Sequence, residues 1–191
     1  MKFFIYDDVS GNVVLNEPEI LLTSEFATLY EKKRNISKTD KTGEHRELAF
    51  KEFTYIYLYI DWQSPYATYS EEDKHNESLK DSKLTNKEYD DLDFKNACKK
   101  YEELQESNLP ISLLLACRHT VKSVIDYLIN LDVSERNPLD GKPIFKTKDV
   151  IAEIKGSKDL ISSIKELEAQ VKKEIDSDVA LRGDAEPGMF D

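Results

Sequence analysis

The stretch from Glu44 to Gln63 constrains the fold more than any other part of the chain. Leu48, Ala49, Phe53, Ile56, Tyr57 and Ile60 recur at helical spacing, and Tyr55, Leu58, Tyr59 and Trp62 make a second stripe. A helix carrying both stripes is apolar nearly all round, so other elements must wrap it. The aromatic and β-branched residues from Phe53 to Ile60 also suit a buried strand. Length and the helical lead-in from Glu47 favour a helix. Ser64-Pro65-Tyr66 stops it, because a proline pushes the residue before it toward an extended conformation.

The flanking sequence supplies the wrapping. Phe3 to Tyr6 and Val13 to Leu15 are short apolar runs separated by turn-forming residues that include Gly11-Asn12, which predicts a β-hairpin. An isolated hairpin is marginal in water, so it has to lie on something else. Pro18 suits the first position of a helix. That helix carries Ile20, Leu21, Phe26 and Leu29 and is expected to end at Glu31-Lys32-Lys33-Arg34, with cations at the negative pole of its dipole. Asn35 to Gly43 reads as a polar, basic loop.

Beyond Pro65 the chain turns strongly polar. Ser70-Glu71-Glu72-Asp73 predicts a short helix. Thr85-Asn86-Lys87-Glu88 is a capping box, and the helix it opens is expected to run to about Glu106. After a break at Asn108 to Pro110, Ile111 to Leu131 is expected to be the strongest core helix, with Leu114, Leu115, Cys117, Val121, Val124, Ile125, Leu128 and Ile129. Asn137 to Pro143 is a loop. Thr147 is expected to cap the next helix, and Gly156-Ser157 to kink or restart it. Leu160, Ile164, Leu167 and Val171 then form a narrow seam at 4, 3, 4 spacing, similar to a short coiled coil. After Ser177 an extended tail is expected. The fold class is therefore mainly α, a helical bundle with a small N-terminal β-hairpin and an extended C-terminal arm. The boundaries read 1–16 for the hairpin, 17–132 for the helical core, 133–146 for a loop, 147–176 for the C-terminal helices and 177–191 for the arm.

A chain of 191 residues with this composition fits one domain, or one domain with an arm. With 27 basic and 38 acidic residues the net charge is −11, which argues against sequence-independent DNA binding by the whole surface. Lys32-Lys33-Arg34 with Lys38 and Lys41 is the one local basic cluster. It reads as a solvated helix end and loop, or as a contact for nucleic acid or an acidic partner. Cys98 and Cys117 lack C-x-x-C spacing and imply no disulfide framework. No run is long enough for a signal peptide or a membrane span, so the expectation is a soluble protein that is intracellular, or is made inside a cell and assembled there.

Catalytic signals are weak. Glu71 and His75 are spaced to share a metal, but two ligands are not a site. Cys117-Arg118-His119 places thiol and imidazole on adjacent helical positions, which point apart. Acidic pairs such as Asp90-Asp91 and Glu102-Glu103 are too common in so acidic a chain to nominate an acid/base couple. No phosphate-binding glycine motif or nucleophile elbow is present. Arg182-Gly183-Asp184 is a chance tripeptide. The expectation is a non-enzymatic protein with no catalytic residue, no metal site and no cofactor.

Leu48-Ala49-Phe50-Lys51-Glu52-Phe53-Thr54-Tyr55-Ile56-Tyr57, followed by Asp61-Trp62-Gln63-Ser64-Pro65-Tyr66, resembles a segment of virion structural proteins from tailed, crAss-like bacteriophages. The acidic, helical remainder is similar to their head–tail connector or ring proteins. The resemblance implies a homo-oligomeric ring, commonly twelve-fold, that docks on the portal protein, links it to other ring or tail proteins and lets DNA pass only as cargo. It implies a virion protein assembled in the host bacterial cytoplasm, without a membrane. Terminal arms of such proteins reach neighbouring subunits, which directs attention to Met189 and Phe190. Tyr and Trp are favoured at protein interfaces, so Tyr59, Trp62, Pro65 and Tyr66 are the other expected contact residues, with core packing an equal or better reading for half of the aromatic residues of this segment. The rival reading is an intracellular helical adaptor or regulatory protein that binds one partner through its last helix, along Leu160, Ile164, Leu167 and Val171.

Overall fold

The computed structural model describes residues 3–7, 12–31, 33–139, 141–145 and 147–183. They are mainly helical, with eight helices and one two-stranded sheet. They fall into two compact units, one of residues 3–108 with 178–183, the other Leu109–Ser177. The sequence boundaries placed the helix after Pro110 in the core. The structure places it in the second unit, and the division falls at Asn108.

In the first unit, β1 (Phe4–Asp7) pairs antiparallel with β2 (Asn12–Leu15), Phe4 opposite Leu15 and Tyr6 opposite Val13. Alternation puts Phe4 and Val13 on the buried face, while Ile5 and Val14 pair on the exposed one. The predicted hairpin is therefore present; its turn, residues 8–11, lies outside the described residues. What it lies on is aromatic. Phe3 meets Phe26 edge-on at 5.2 Å, Phe4 meets Tyr101 at 5.2 Å, and Tyr6 stacks on Tyr57 at 5.1 Å.

The helix expected from Pro18 to Arg34 is two helices, α1 (Glu17–Leu21) and α2 (Ser24–Tyr30). Thr23 is extended and begins the second one. Glu31 is also extended, so α2 stops before the cations and has no basic residue in its last turn. Asn35 accounts for this exit. Its Nδ2 donates to the Glu31 carbonyl at 2.7 Å and its Oδ1 accepts from Ala49 N at 2.7 Å. One buried amide thus serves the chain leaving α2 and caps the start of α3 (Glu47–Ile60).

Helix α3 is the predicted wrapped helix. Ala49, Phe53, Tyr55, Ile56, Tyr57 and Leu58 are all buried. It stops at Ile60, earlier than Pro65 requires, because Asp61 turns extended. Helix α4 (Glu71–Ser82) starts where the sequence predicts, with Ser70 Oγ accepting from Asp73 N at 3.1 Å. The capping box at Thr85 and Glu88 forms, but the helix it opens, α5 (Asn86–Tyr89), is one turn long. The expected continuous helix is interrupted because Asp91, itself extended, caps a new start. Its Oδ1 accepts from Asp93 N at 2.9 Å and Phe94 N at 3.2 Å, beginning α6 (Leu92–Ser107).

The second unit holds α7 (Leu109–Asn130) and most of α8 (Thr147–Gly183). Of the apolar residues expected to make α7 the strongest core helix, only Leu114 is buried, joined by Ile111. Leu113, Ile125, Tyr127 and Ile129 are exposed, because this unit has no further helix to lie over them. The predicted loop is present, closed by a bridge between Arg136 and Pro143. Helix α8 runs without a break through Gly156, against the expected kink. One glycine costs about 1 kcal/mol relative to alanine but leaves the hydrogen-bond ladder intact. The helix also continues past Ser177, so residues 177–183 are helical rather than an extended arm. Val179, Ala180, Leu181 and Arg182 contain neither proline nor glycine to end it. Residues 184–191, with Met189 and Phe190, lie outside the described residues. Among the described residues no helix is long and apolar enough to cross a membrane.

Candidate interaction surfaces and buried polar clusters

The four aromatic and proline positions singled out by sequence are treated differently by the fold. Trp62 is buried, and its backbone N–H donates to Gln105 Oε1 at 3.3 Å. It is a core residue and offers little surface. Tyr59 is half-buried beside Tyr55 and His75, with Lys74 Nζ 5.4 Å over its ring and its hydroxyl donating to Glu71 at 3.4 Å. Burial, then the Glu71 charge, raises the pKa of its hydroxyl. Tyr66 donates to Asp81, and that bond, followed by burial, raises its pKa too. Pro65 and Tyr69 remain exposed, Tyr69 with its ring 5.1 Å from that of Tyr66. The outward part of this segment is therefore Pro65 and Tyr69, while Tyr66 is half-buried against the core.

The seam on α8 is the least exposed stripe of that helix. Ile164 and Val171 are buried, Leu160 and Leu167 half-buried. A stripe already withdrawn from water is poorly placed as the main surface of a one-partner adaptor.

The basic cluster is also divided. Lys33, Lys38 and Lys41 are exposed, but Arg34 turns inward. Its Nη1 donates to Glu52 Oε2 at 2.6 Å and its Nη2 to Asp91 Oδ1 at 2.6 Å, with Asp93 at 3.7 Å. Glu52 is fully buried, and its Oε1 has no hydrogen-bond partner. Burial outweighs Arg34 and pushes the Glu52 carboxyl up to about 7. A carboxyl titrating near neutrality has the proton affinity of a general acid or base. With no exposed surface it meets no substrate, so the cluster acts as a clasp joining the loop after α2 to α3 and the cap of α6. Burial, with Glu102 and Glu52 adding to it, pushes the Cys98 thiol up to about 12, which leaves it protonated and inert.

Two further polar contacts were not signalled by sequence motifs. Asp61 accepts from the Tyr101 hydroxyl and, at 3.4 Å, from Gln105 Nε2, which ties the end of α3 to α6. Tyr55 Oη lies 2.7 Å from His75 Nδ1, and Tyr89 packs edge-on to that imidazole at 5.0 Å. His75 thus has Tyr55 as a hydrogen-bond partner, a contact between α4 and α3. Among the described residues no three His, Cys, Asp or Glu side chains come together to hold a metal ion. A sequence signal did exist for one member. Glu52 is an acid in the middle of a helix apolar all round, which demands a buried partner. Its partner lies 18 positions away in a loop, which no periodicity reveals.

No protein-family model, curated protein or solved structure matches the chain.

Proposed function

We propose that the chain is a non-enzymatic virion structural protein, a head–tail connector that assembles as a ring, docks on the portal and links it to tail proteins. One observation supports a role in assembly. The unit Leu109–Ser177 leaves Leu113, Ile125, Tyr127, Ile129, Ile151 and Ile154 between 42% and 75% exposed. Large apolar side chains gathered in one small unit are unfavourable for a free monomer and ordinary for a subunit whose neighbours cover them. The connector assignment itself rests on the resemblance of residues 48–66 to phage virion proteins. The net charge of −11 suits a ring whose channel DNA slides through without sticking.

The adaptor reading is disfavoured by the burial of Ile164 and Val171, which an adaptor seam would leave open. Native mass spectrometry tests the proposal, comparing the full chain with a chain ending at Ser177, each alone and mixed with the portal protein of a crAss-like phage. The connector reading expects a closed ring of high order, alone or on the portal, weakened by the truncation. A monomer or dimer under all four conditions would overturn it.

A further inference from the structure

The cluster around Arg34 holds more negative charge than its one cation can offset. Three carboxylates face the guanidinium, Glu52 and Asp91 at 2.6 Å and Asp93 at 3.7 Å. The Asp91 and Asp93 side chains are 43% and 52% exposed, so water stabilises their charge. Glu52 is fully buried, and its Oε1 has no hydrogen-bond partner. A buried, unpartnered carboxylate oxygen is the least favourable place for a charge, so Glu52 is the member that takes a proton. Groups facing it from the other elements do not reverse this. Glu88 on α5 and Asp91 at the start of α6 add negative charge, and Cys98 on α6 keeps its thiol proton. Arg34 is the opposing group, and it is shared.

The guanidinium also stands between Glu52 and water. Its side chain is 15% exposed and reaches from the two outer acids to the buried one. Arg34 belongs to residues 33–46, a segment without helix or strand that links α2 to α3. Part of what orders this segment is internal. Ser37 N donates to the Asp40 carbonyl at 2.9 Å, and His45 N donates to Asp40 Oδ2 at 2.9 Å. Its outward ties are of two kinds. Asn35 meets Ala49 N, and Ser37 and Thr39 meet Glu47, all in the first turn of α3. Arg34 reaches further, to the middle of α3 and the cap of α6.

We infer that residues 33–46 are a proton-controlled latch, docked on α3 and the start of α6 while Glu52 holds a proton and released as that carboxyl ionises. In the closed form burial keeps the carboxyl titrating near 7. Once Arg34 lifts and water reaches it, it returns toward the ordinary 4.5. Linkage then sets the sign. The closed form has its full advantage below pH 4.5 and loses it as pH rises through about 7. A surface ion pair behaves in the opposite way and tightens as its carboxyl ionises. Release frees Arg34 to join the exposed Lys33, Lys38 and Lys41, so the basic surface of the protein is larger above neutrality than below it. The inference depends on neither the connector nor the adaptor reading.

Hydrogen exchange followed by NMR on the full chain tests this, with each rate divided by that of an unstructured chain at the same pH. The Ala49 amide is the reporter, because its acceptor, Asn35 Oδ1, lies on the segment. Its protection is expected to fall by more than about tenfold between pH 5 and 8 in wild type and to stay level in Glu52→Gln. Low urea should leave Ala49 exchange unchanged while it speeds that of Ile56 in the middle of α3, which marks the opening as local. The carboxyl carbon shift of Glu52 gives a check without any substitution, and its midpoint is expected near neutrality. Ala49 protection that is alike in both proteins, that rises with pH, or that follows urea as Ile56 does would overturn the inference. A Glu52 midpoint in the ordinary carboxylate range would overturn it as well.

Discussion

Arg34 donates to Glu52 at 2.6 Å, and Glu52 has no exposure to solvent at all. A residue that belongs by sequence to a solvated basic run is therefore the counter-ion of a carboxylate in the middle of the core helix. Removing one partner strands the other. Arg34→Met is expected to destabilise the protein by about 3–5 kcal/mol, since it leaves a buried carboxylate unpaired. Arg34→Met with Glu52→Met should recover most of that loss. Urea unfolding of the two single variants and the double checks it, and strictly additive losses would show that the two residues are not coupled.

The same carboxyl sets a pH dependence of defined sign. In the fold it titrates near 7 against an ordinary value of 4.5, so the folded state holds the extra proton. Its contribution to stability is complete below pH 4.5 and is lost as pH rises through about 7, on the order of 3 kcal/mol in all. Asp91, which burial alone would raise but which Arg34 and the Phe94 N–H together hold low, works in the opposite sense at lower pH. It does so with or without Glu52. Urea unfolding of wild type and Glu52→Gln between pH 4.5 and 8 isolates the effect. The wild-type curve should fall relative to the variant's across that window, and parallel curves would refute the assignment.

Asn35 is a small residue with a large structural share. It donates to the carbonyls of Glu31 and Leu29 and accepts from Ala49 N, so three backbone groups depend on it. Asn35→Ala is expected to cost about 1–3 kcal/mol through backbone groups left unsatisfied in a buried place. Asn35→Asp should cost no less, because a carboxylate cannot donate to either carbonyl. Thermal unfolding ranks the two; near-wild-type stability for Asn35→Asp would mean the Glu31 contact carries little.

Helix α8 passes through Gly156 with room to spare, since a Cβ added there meets nothing within 4 Å. Gly156→Ala is therefore expected to stabilise the second unit by about 0.4–1 kcal/mol, chiefly by restricting the unfolded chain. Hydrogen exchange of amides near residue 156 should slow in the variant. Faster exchange there would indicate a kink that the glycine permits.

Local chemistry determined much of this protein from sequence alone. The two stripes between Leu48 and Trp62 required a wrapped helix, because no single neighbour covers both. The hairpin, the helix that starts at Ser70 and the Thr85–Glu88 box depend on residues a few positions apart and form as the sequence predicts. Tertiary structure decided what depends on distant partners. It turned Arg34 inward, because Glu52 cannot be buried alone, and it ended the Thr85 helix after one turn, because Asp91 is both a cap and an Arg34 ligand. It divided the apolar residues of α7 into covered and open ones, since periodicity reports which face is apolar and not whether anything lies over it. Sequence spacing carries the short-range hydrogen bonds and the helical faces. Burial is a property of the whole set of neighbours, and only the folded chain assigns it.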